Sequence, residues 1–231
     1  MDTAADHLKR LSDRIEKAAQ RSGRNTKEIT LVAVTKTVPL DKVLPYIQAG
    51  IHHVGENRVQ EALEKWTVHR APCTEHGARP MFHLIGQLQS NKAKKAVGFF
   101  DVIQSLDLFD LAQDINRHAE ALGKKQACLI EVKISPEATK SGIPPERLDE
   151  FLGQLKGLAS LEIKGLMGIA PATSTLEEVR PYFARLRKLF EKTRLPILSM
   201  GMSSDFEIAI EEGSTMVRLG TALFGVRTIP L

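Results

Sequence analysis

Apolar residues along the chain switch between two spacings. At the start, Leu8, Leu11, Ile15, Ala18 and Ala19 recur three and four apart, which predicts a helix that Gly23 stops. Ile29-Thr30-Leu31-Val32-Ala33-Val34 is a short β-branched run suited to a buried strand; it ends at Thr35-Lys36-Thr37, and Pro39 opens the next element. From Asp41 to Ala49, Val43, Leu44 and Ile47 share one helical face, with Gly50 placed as the C-terminal stop. The alternation then repeats. Further strands are expected at Ile51–Gly55, Met81–Ile85, Asp101–Gln104, Ala127–Ile134, Ile163–Ile169, Ile197–Met200 and Thr215–Leu219. Helical patterns lie between them. Leu108, Leu111, Ala112, Ile115, Ala119 and Leu122 form the clearest, with Asp107 as its N-cap. Phe183, Leu186, Leu189 and Phe190 form another, begun at Pro181 after a separate turn over Leu176–Val179. Phe206, Ala209 and Ile210, closed by Gly213, predict a short late helix.

With the first run, this makes eight strands, most of them followed by a helix. Such alternation predicts a parallel sheet covered by helices. Eight repeats in about 200 residues match a single (β/α)8 TIM barrel with an extra N-terminal helix. A doubly wound open sheet is the alternative. Residues 69–80 are the one obvious loop insertion and no low-complexity linker occurs, so residues 1–231 read as one domain.

Composition narrows the function classes. Hydrophobic residues make up 42% and charged residues 26%, ordinary for a globular protein. No run approaches the ~20 apolar residues of a membrane helix, and the charged N-terminus lacks the apolar core of a secretory signal. Cys73 and Cys128 cannot make a disulfide framework and read as reduced thiols of a cytoplasmic protein. The net charge of +4 is mild, and aromatic residues are only 5%, leaving little to stack bases on. Lys92, Lys94 and Lys95 form the densest basic cluster and read first as a solvated helix face, so nucleic-acid binding is disfavoured.

In a TIM barrel the active site lies at the C-terminal ends of the strands. Lys36 stands at the first such end, where a desolvated ammonium gives up its proton readily and the amine can attack a carbonyl. A surface lysine is the alternative. Ser203 and Ser204 follow the seventh strand and are expected to open a helix; Gly220-Thr221 follows the eighth and opens another. Loops after strands seven and eight frequently bind phosphate in such barrels. Arg218 points into the site if Val217 and Leu219 point away, and its guanidinium would keep a facing heterocyclic nitrogen unprotonated. His52 and His53 are adjacent and would face opposite sides of a strand; no histidine has metal-ligand spacing, so no metal is expected. No GxSxG, P-loop or GxGxxG occurs.

Ala33-Val34-Thr35-Lys36-Thr37-Val38-Pro39 resembles the lysine motif of the pyridoxal phosphate homeostasis protein family, which is related to the N-terminal domain of alanine racemase. Gly55-Glu56-Asn57, Phe82-His83-Leu84-Ile85-Gly86, Lys140-Ser141-Gly142, Ser199-Met200-Gly201-Met202-Ser203 and Val217-Arg218-Leu219-Gly220-Thr221 extend the resemblance over nearly the whole chain. It implies that Lys36 holds pyridoxal 5′-phosphate as a Schiff base and that Asn57 lies beside the ring. It also implies that Ser203, Gly220 and Thr221 bind the phosphate and that Arg218 faces the pyridine nitrogen. Arg58, where an aromatic is common, and Gln87 are departures outside that chemistry.

The resemblance further implies a cytoplasmic, monomeric cofactor carrier that supplies or buffers pyridoxal phosphate for apoenzymes, with indirect effects on amino-acid and keto-acid balance. The alternative is a low-activity racemase or lyase. Racemases of the related family use a second, β-rich domain and a partner-subunit tyrosine as one base. Here only ten residues follow Thr221, and the two tyrosines, Tyr46 and Tyr182, fall in expected outer helices. No catalytic residue is therefore assigned, although His83 is a possible acid or base and otherwise a structural histidine.

Overall fold

The computed structural model describes residues 3–66, 79–137, 140–173 and 175–225. Cys73 and most of the 69–80 loop lie outside the described residues. Eight parallel strands close into a barrel in chain order: β1 Thr30–Val34, β2 His53–Glu56, β3 Met81–Leu84, β4 Val102–Leu106, β5 Gln126–Glu131, β6 Leu161–Met167, β7 Ile197–Ser199 and β8 Met216–Leu219. Closure comes from β1 and β8, where Thr30 to Ala33 pair with Met216 to Leu219. The expected barrel is therefore the observed one, and the open sheet is excluded.

The helices run outside it. They are α1 Ala4–Arg21, α2 Leu40–Gln48, α3 Val59–Trp66, α4 Ala93–Phe99, α5 Phe109–Ala121, α6 Leu148–Leu155, α7 Arg180–Thr193, α8 Phe206–Glu211 and α9 Thr221–Phe224. The extra helix α1 starts at a capping box between Thr3 and Asp6 and turns Leu11, Ile15, Ala18 and Ala19 inward. It is tied to α8 by Arg14, which donates to both carboxylate oxygens of Glu207 at 3.0 and 3.1 Å. Helix α7 begins beside Pro181 after the separate turn Leu176–Val179. Among the described residues no helix is long and apolar enough to cross a membrane.

Strand pleating sorts side chains to two walls. Outward residues pack under the helices: Phe82 of β3 meets Trp66 of α3 and Phe99 of α4, with ring centroids 5.0 and 4.9 Å apart. Inward residues include a small apolar cluster of Val102, Leu129 and Met167, packed with Ala127, Ile169 and Ile197.

Three local expectations change. Strand β5 stops at Glu131, three residues short of Ile134. Asp107 does not cap α5; Leu108 holds that position without a side-chain cap, and the Asp107 carboxylate accepts from the Gly142 amide at 3.3 Å. Ser203 and Ser204 do not open α8. Asp205 precedes it, and its carboxylate accepts from the Met202 amide at 2.6 Å within the preceding turn.

Candidate functional site

At the C-terminal ends of the strands lies a cavity of about 380 Å³. Lys36, Asn57, Ser203, Arg218, Gly220 and Thr221 all line it, so the structure brings the six sequence-predicted site residues together. Val34, Ile85, Ile169, Met202 and Ser204 complete the wall. The sequence reading did not name the first four as site residues. Val34 and Ile85 could have been found by stepping two positions from Lys36 and His83, and Ile169 by stepping from Met167, because alternate strand residues share a face.

Lys36 sits on a turn held from behind. The Val38 amide donates to the Thr35 carbonyl at 3.0 Å, which puts Lys36 and Thr37 at the turn's centre. Thr37 has φ 59°, the left-handed region, and its amide is held by Glu61 of α3 at 2.5 Å. Beneath the turn, fully buried Glu56 accepts at one oxygen from Thr35 Oγ1 at 2.6 Å, Lys65 Nζ at 2.9 Å and Trp66 Nε1 at 3.0 Å. Lys65 also donates to the Thr35 carbonyl at 2.7 Å. A buried ion pair thus fixes the residue before the lysine. Next door, a side chain at position 86 would come within 2.3 Å of the Asn57 carbonyl, so Gly86 is what lets the loops after β2 and β3 close on Asn57.

On the opposite rim, Ser203 bridges the loops after β7 and β8. Its Oγ accepts from the amides of Gly220 at 3.0 Å and Ala222 at 3.2 Å. With two amides on the oxygen, the hydroxyl hydrogen is left to donate elsewhere. Gly201, φ 96°, makes the turn just ahead of Ser203; a Cβ there would meet Ala209 of α8 at 2.6 Å.

Arg218 faces inward as expected, 4% exposed, while Val217 and Leu219 are buried outward under the helices. One terminal nitrogen donates to Ser199 Oγ at 2.6 Å and the other to the Gly168 carbonyl at 3.1 Å. Burial lowers its pKa to about 10, opposed by the charges of Glu131 and Asp205, so it stays protonated at neutral pH. Glu131, at the inner end of β5, is raised to about 7 by burial and by Asp107, against the pull of Arg218 and Lys140.

Below the cavity an interior polar chain runs on from Arg218. Ser199 donates to Gln104 Oε1 at 2.7 Å, Gln104 Nε2 lies 3.0 Å from His83 Nδ1, and His83 Nε2 lies 2.9 Å from His53 Nδ1. His83 is 1% exposed, and burial with His53 beside it lowers its pKa to about 3. Both of its ring nitrogens have partners inside the barrel. His53 starts β2 facing inward; His52 precedes the strand and is exposed. Composition gave no signal for this chain, because its members come from five different strands. Tyr46 bonds His7 and the Leu223 carbonyl on α2's side of the barrel, and Tyr182 lies on α7.

Comparison with known proteins follows the same lines. Residues 7–228 match the family described as alanine racemase, N-terminal domain. A pyridoxal phosphate homeostasis protein of Aquifex aeolicus is 42% identical over 230 residues, 97% of this chain and 98% of that one. One from Pseudomonas aeruginosa is 40% identical, covering 98% of this chain and 97% of its own. PipY of Synechococcus elongatus, solved with PLP bound, is similar at TM-score 0.79 and 38% identity, covering 92% of this chain and 100% of PipY. An alanine racemase of Clostridium difficile shares the fold alone, at TM-score 0.71 and 16% identity, with this chain covering 57% of it.

Proposed function

The chain belongs to the pyridoxal phosphate homeostasis proteins, with the alanine racemase N-terminal domain as its barrel, and from that premise we propose that it binds pyridoxal 5′-phosphate and serves cofactor homeostasis. The observation that carries the reading is one cavity lined by a lysine, a buried arginine and three hydroxyl residues, Ser203, Ser204 and Thr221, at the β7 and β8 ends.

The residues present fit the group. Val34, Ile85, Ile169 and Met202 offer apolar walls to a flat ring. When bound, the cofactor supplies an aldehyde and an electron-withdrawing pyridine ring. Lys36 would hold the group covalently, its Nζ serving as the nucleophile toward that aldehyde. Arg218 donates to the ring nitrogen and keeps it unprotonated, and Asn57 borders the ring. Ser203 gives its free hydroxyl hydrogen to the phosphate, joined by Thr221 and the Gly220 end of the β8 loop.

The same geometry favours holding over turnover. A racemase needs a base on each face of the substrate α-carbon. Tyr46 is engaged away from the cavity, and His83 is bonded at both nitrogens. An arginine at the ring nitrogen also weakens the electron sink. We therefore read the protein as a monomeric, cytoplasmic carrier that supplies or buffers the cofactor for apoenzymes, influencing amino-acid and keto-acid balance indirectly. Borohydride reduction of the cofactor-loaded protein followed by peptide mapping tests the linkage. Label on Lys36 is expected; label confined to another lysine, such as Lys140, contradicts it.

A further inference from the structure

The chain of five interior side chains has a direction. A guanidinium can only donate, so Ser199 Oγ accepts from Arg218 and sends its one hydrogen to Gln104 Oε1. The Gln104 amide then turns Nε2 toward His83 Nδ1. Met216 Sδ, which can only accept, lies 3.3 Å from the same nitrogen and fixes the amide that way round. His83 Nδ1 is therefore an acceptor, its proton sits on Nε2, and that proton is given to His53 Nδ1. Each donor is used by the next acceptor, from β8 through β7, β4 and β3 to β2.

The chain anchors Arg218 without neutralising it. Among the described residues no carboxylate hydrogen-bonds to this guanidinium; Glu131 and Asp205 act only through longer-range charge. Its anchors are a hydroxyl and a carbonyl, both neutral. The far end faces a different set of charges: His52 lies near His53, and Asp101, bound to Arg79, lies near both histidines. Gln104, fully buried, is the middle link, and its loss would leave Ser199 and His83 each with an unpaired buried group.

From this geometry we infer that Gln104 is a positioning residue: through Ser199 it holds the Arg218 guanidinium against the cavity and keeps the ring nitrogen of the bound cofactor unprotonated. The inference rests on the reading that the cavity binds pyridoxal phosphate.

Two measurements test it. In cofactor-free protein labelled with ¹⁵N-histidine, His83 is expected to carry its proton on Nε2 with Nδ1 bare, and Gln104→Leu to shift the Nδ1 signal. A proton on Nδ1 in the wild type overturns the directed chain. In the loaded protein, visible absorbance followed against pH reports protonation of the ring. Gln104→Leu and Ser199→Ala should each raise the midpoint by about one unit, a tenfold change, while borohydride still fixes the cofactor to Lys36. Ser199→Ala is the smaller change and carries the same expectation if Gln104→Leu does not fold. Wild-type midpoints in the variants, with Lys36 still labelled, overturn the inference and leave the cofactor reading standing. A wild-type protein that fixes no cofactor on Lys36 overturns the cofactor reading and the inference together.

Discussion

On β3, Phe82 and Leu84 are buried among the helices, while His83 between them faces the barrel interior and bonds His53 and Gln104. The same contrast recurs on β8, where Val217 and Leu219 point outward and Arg218 inward. The outer wall is apolar and joined to helices close in sequence. The inner wall carries polar groups whose partners lie on distant strands. Its buried charge is tolerated because Arg218 has two acceptors and the chain beyond it is saturated. Fold information therefore concentrates on one wall and binding chemistry on the other.

Glu56 is the exception that tests this division, since it is a fully buried charge held between β2 and α3. Glu56→Ala would leave Trp66 Nε1 and Thr35 Oγ1 without their buried acceptor and Lys65 with only the more distant Glu61, and urea unfolding should show a loss of about 3 kcal/mol. Glu56→Gln, which keeps an acceptor oxygen, should lose less. An effect below 1 kcal/mol for the alanine variant would mean that the cluster does not support the Lys36 turn.

On the inner rim, Ser203→Ala and Thr221→Ala should each weaken pyridoxal phosphate binding by about 1.5–3 kcal/mol, roughly tenfold or more in dissociation constant. Pyridoxal, which lacks the phosphate, should respond little to either change. Equal losses for both ligands in a titration would assign these residues to the fold instead of to phosphate.

Two inner-wall groups should oppose each other in the dependence of stability on pH. Glu131 is raised from 4.5 to about 7, so its folded form keeps a proton that the unfolded chain has lost. Its contribution falls as pH rises from about 4.5 to about 7. His83 is lowered from 6.5 to about 3, so the unfolded chain takes up the proton first, and stability falls as pH drops below about 6.5. Between about 4.5 and 6.5 the two slopes cancel. Glu131→Gln removes one of them, and its unfolding free energy should fall relative to wild type by about 1.4 kcal/mol per pH unit of acidification in that window. Parallel curves for the two proteins would place Glu131 in water. The smallest effect belongs outside: Lys94→Gln and Lys95→Gln, both on exposed positions of α4, should change stability by no more than about 0.5 kcal/mol.

The eight strands and the start of α7 beside Pro181 were legible because each depends on neighbours in sequence. That the six residues expected at the site would line one cavity was legible for a related reason: closure of a parallel barrel sends every strand end to one face, so Lys36, Asn57, Ser203 and Arg218 are brought to the same end of the barrel. Asp107 was misread because its carboxylate has a local option, capping α5, and takes a distant one at Gly142. Ser203 was expected to open a helix, and instead its hydroxyl ties two loops together. The His53-to-Arg218 chain was out of reach for the same reason. Ser199 and Gln104 are 95 residues apart, and only the closed barrel puts them across from each other.

Everything proposed for the inner wall depends on its cavity holding pyridoxal phosphate through Lys36. The most direct test of that linkage is an absorbance titration of wild type and Lys36→Ala with pyridoxal phosphate. A saturable visible band, characteristic of a Schiff base, is expected in the wild type and absent from Lys36→Ala. An equally intense, saturable band in Lys36→Ala, or none in the wild type, would contradict it.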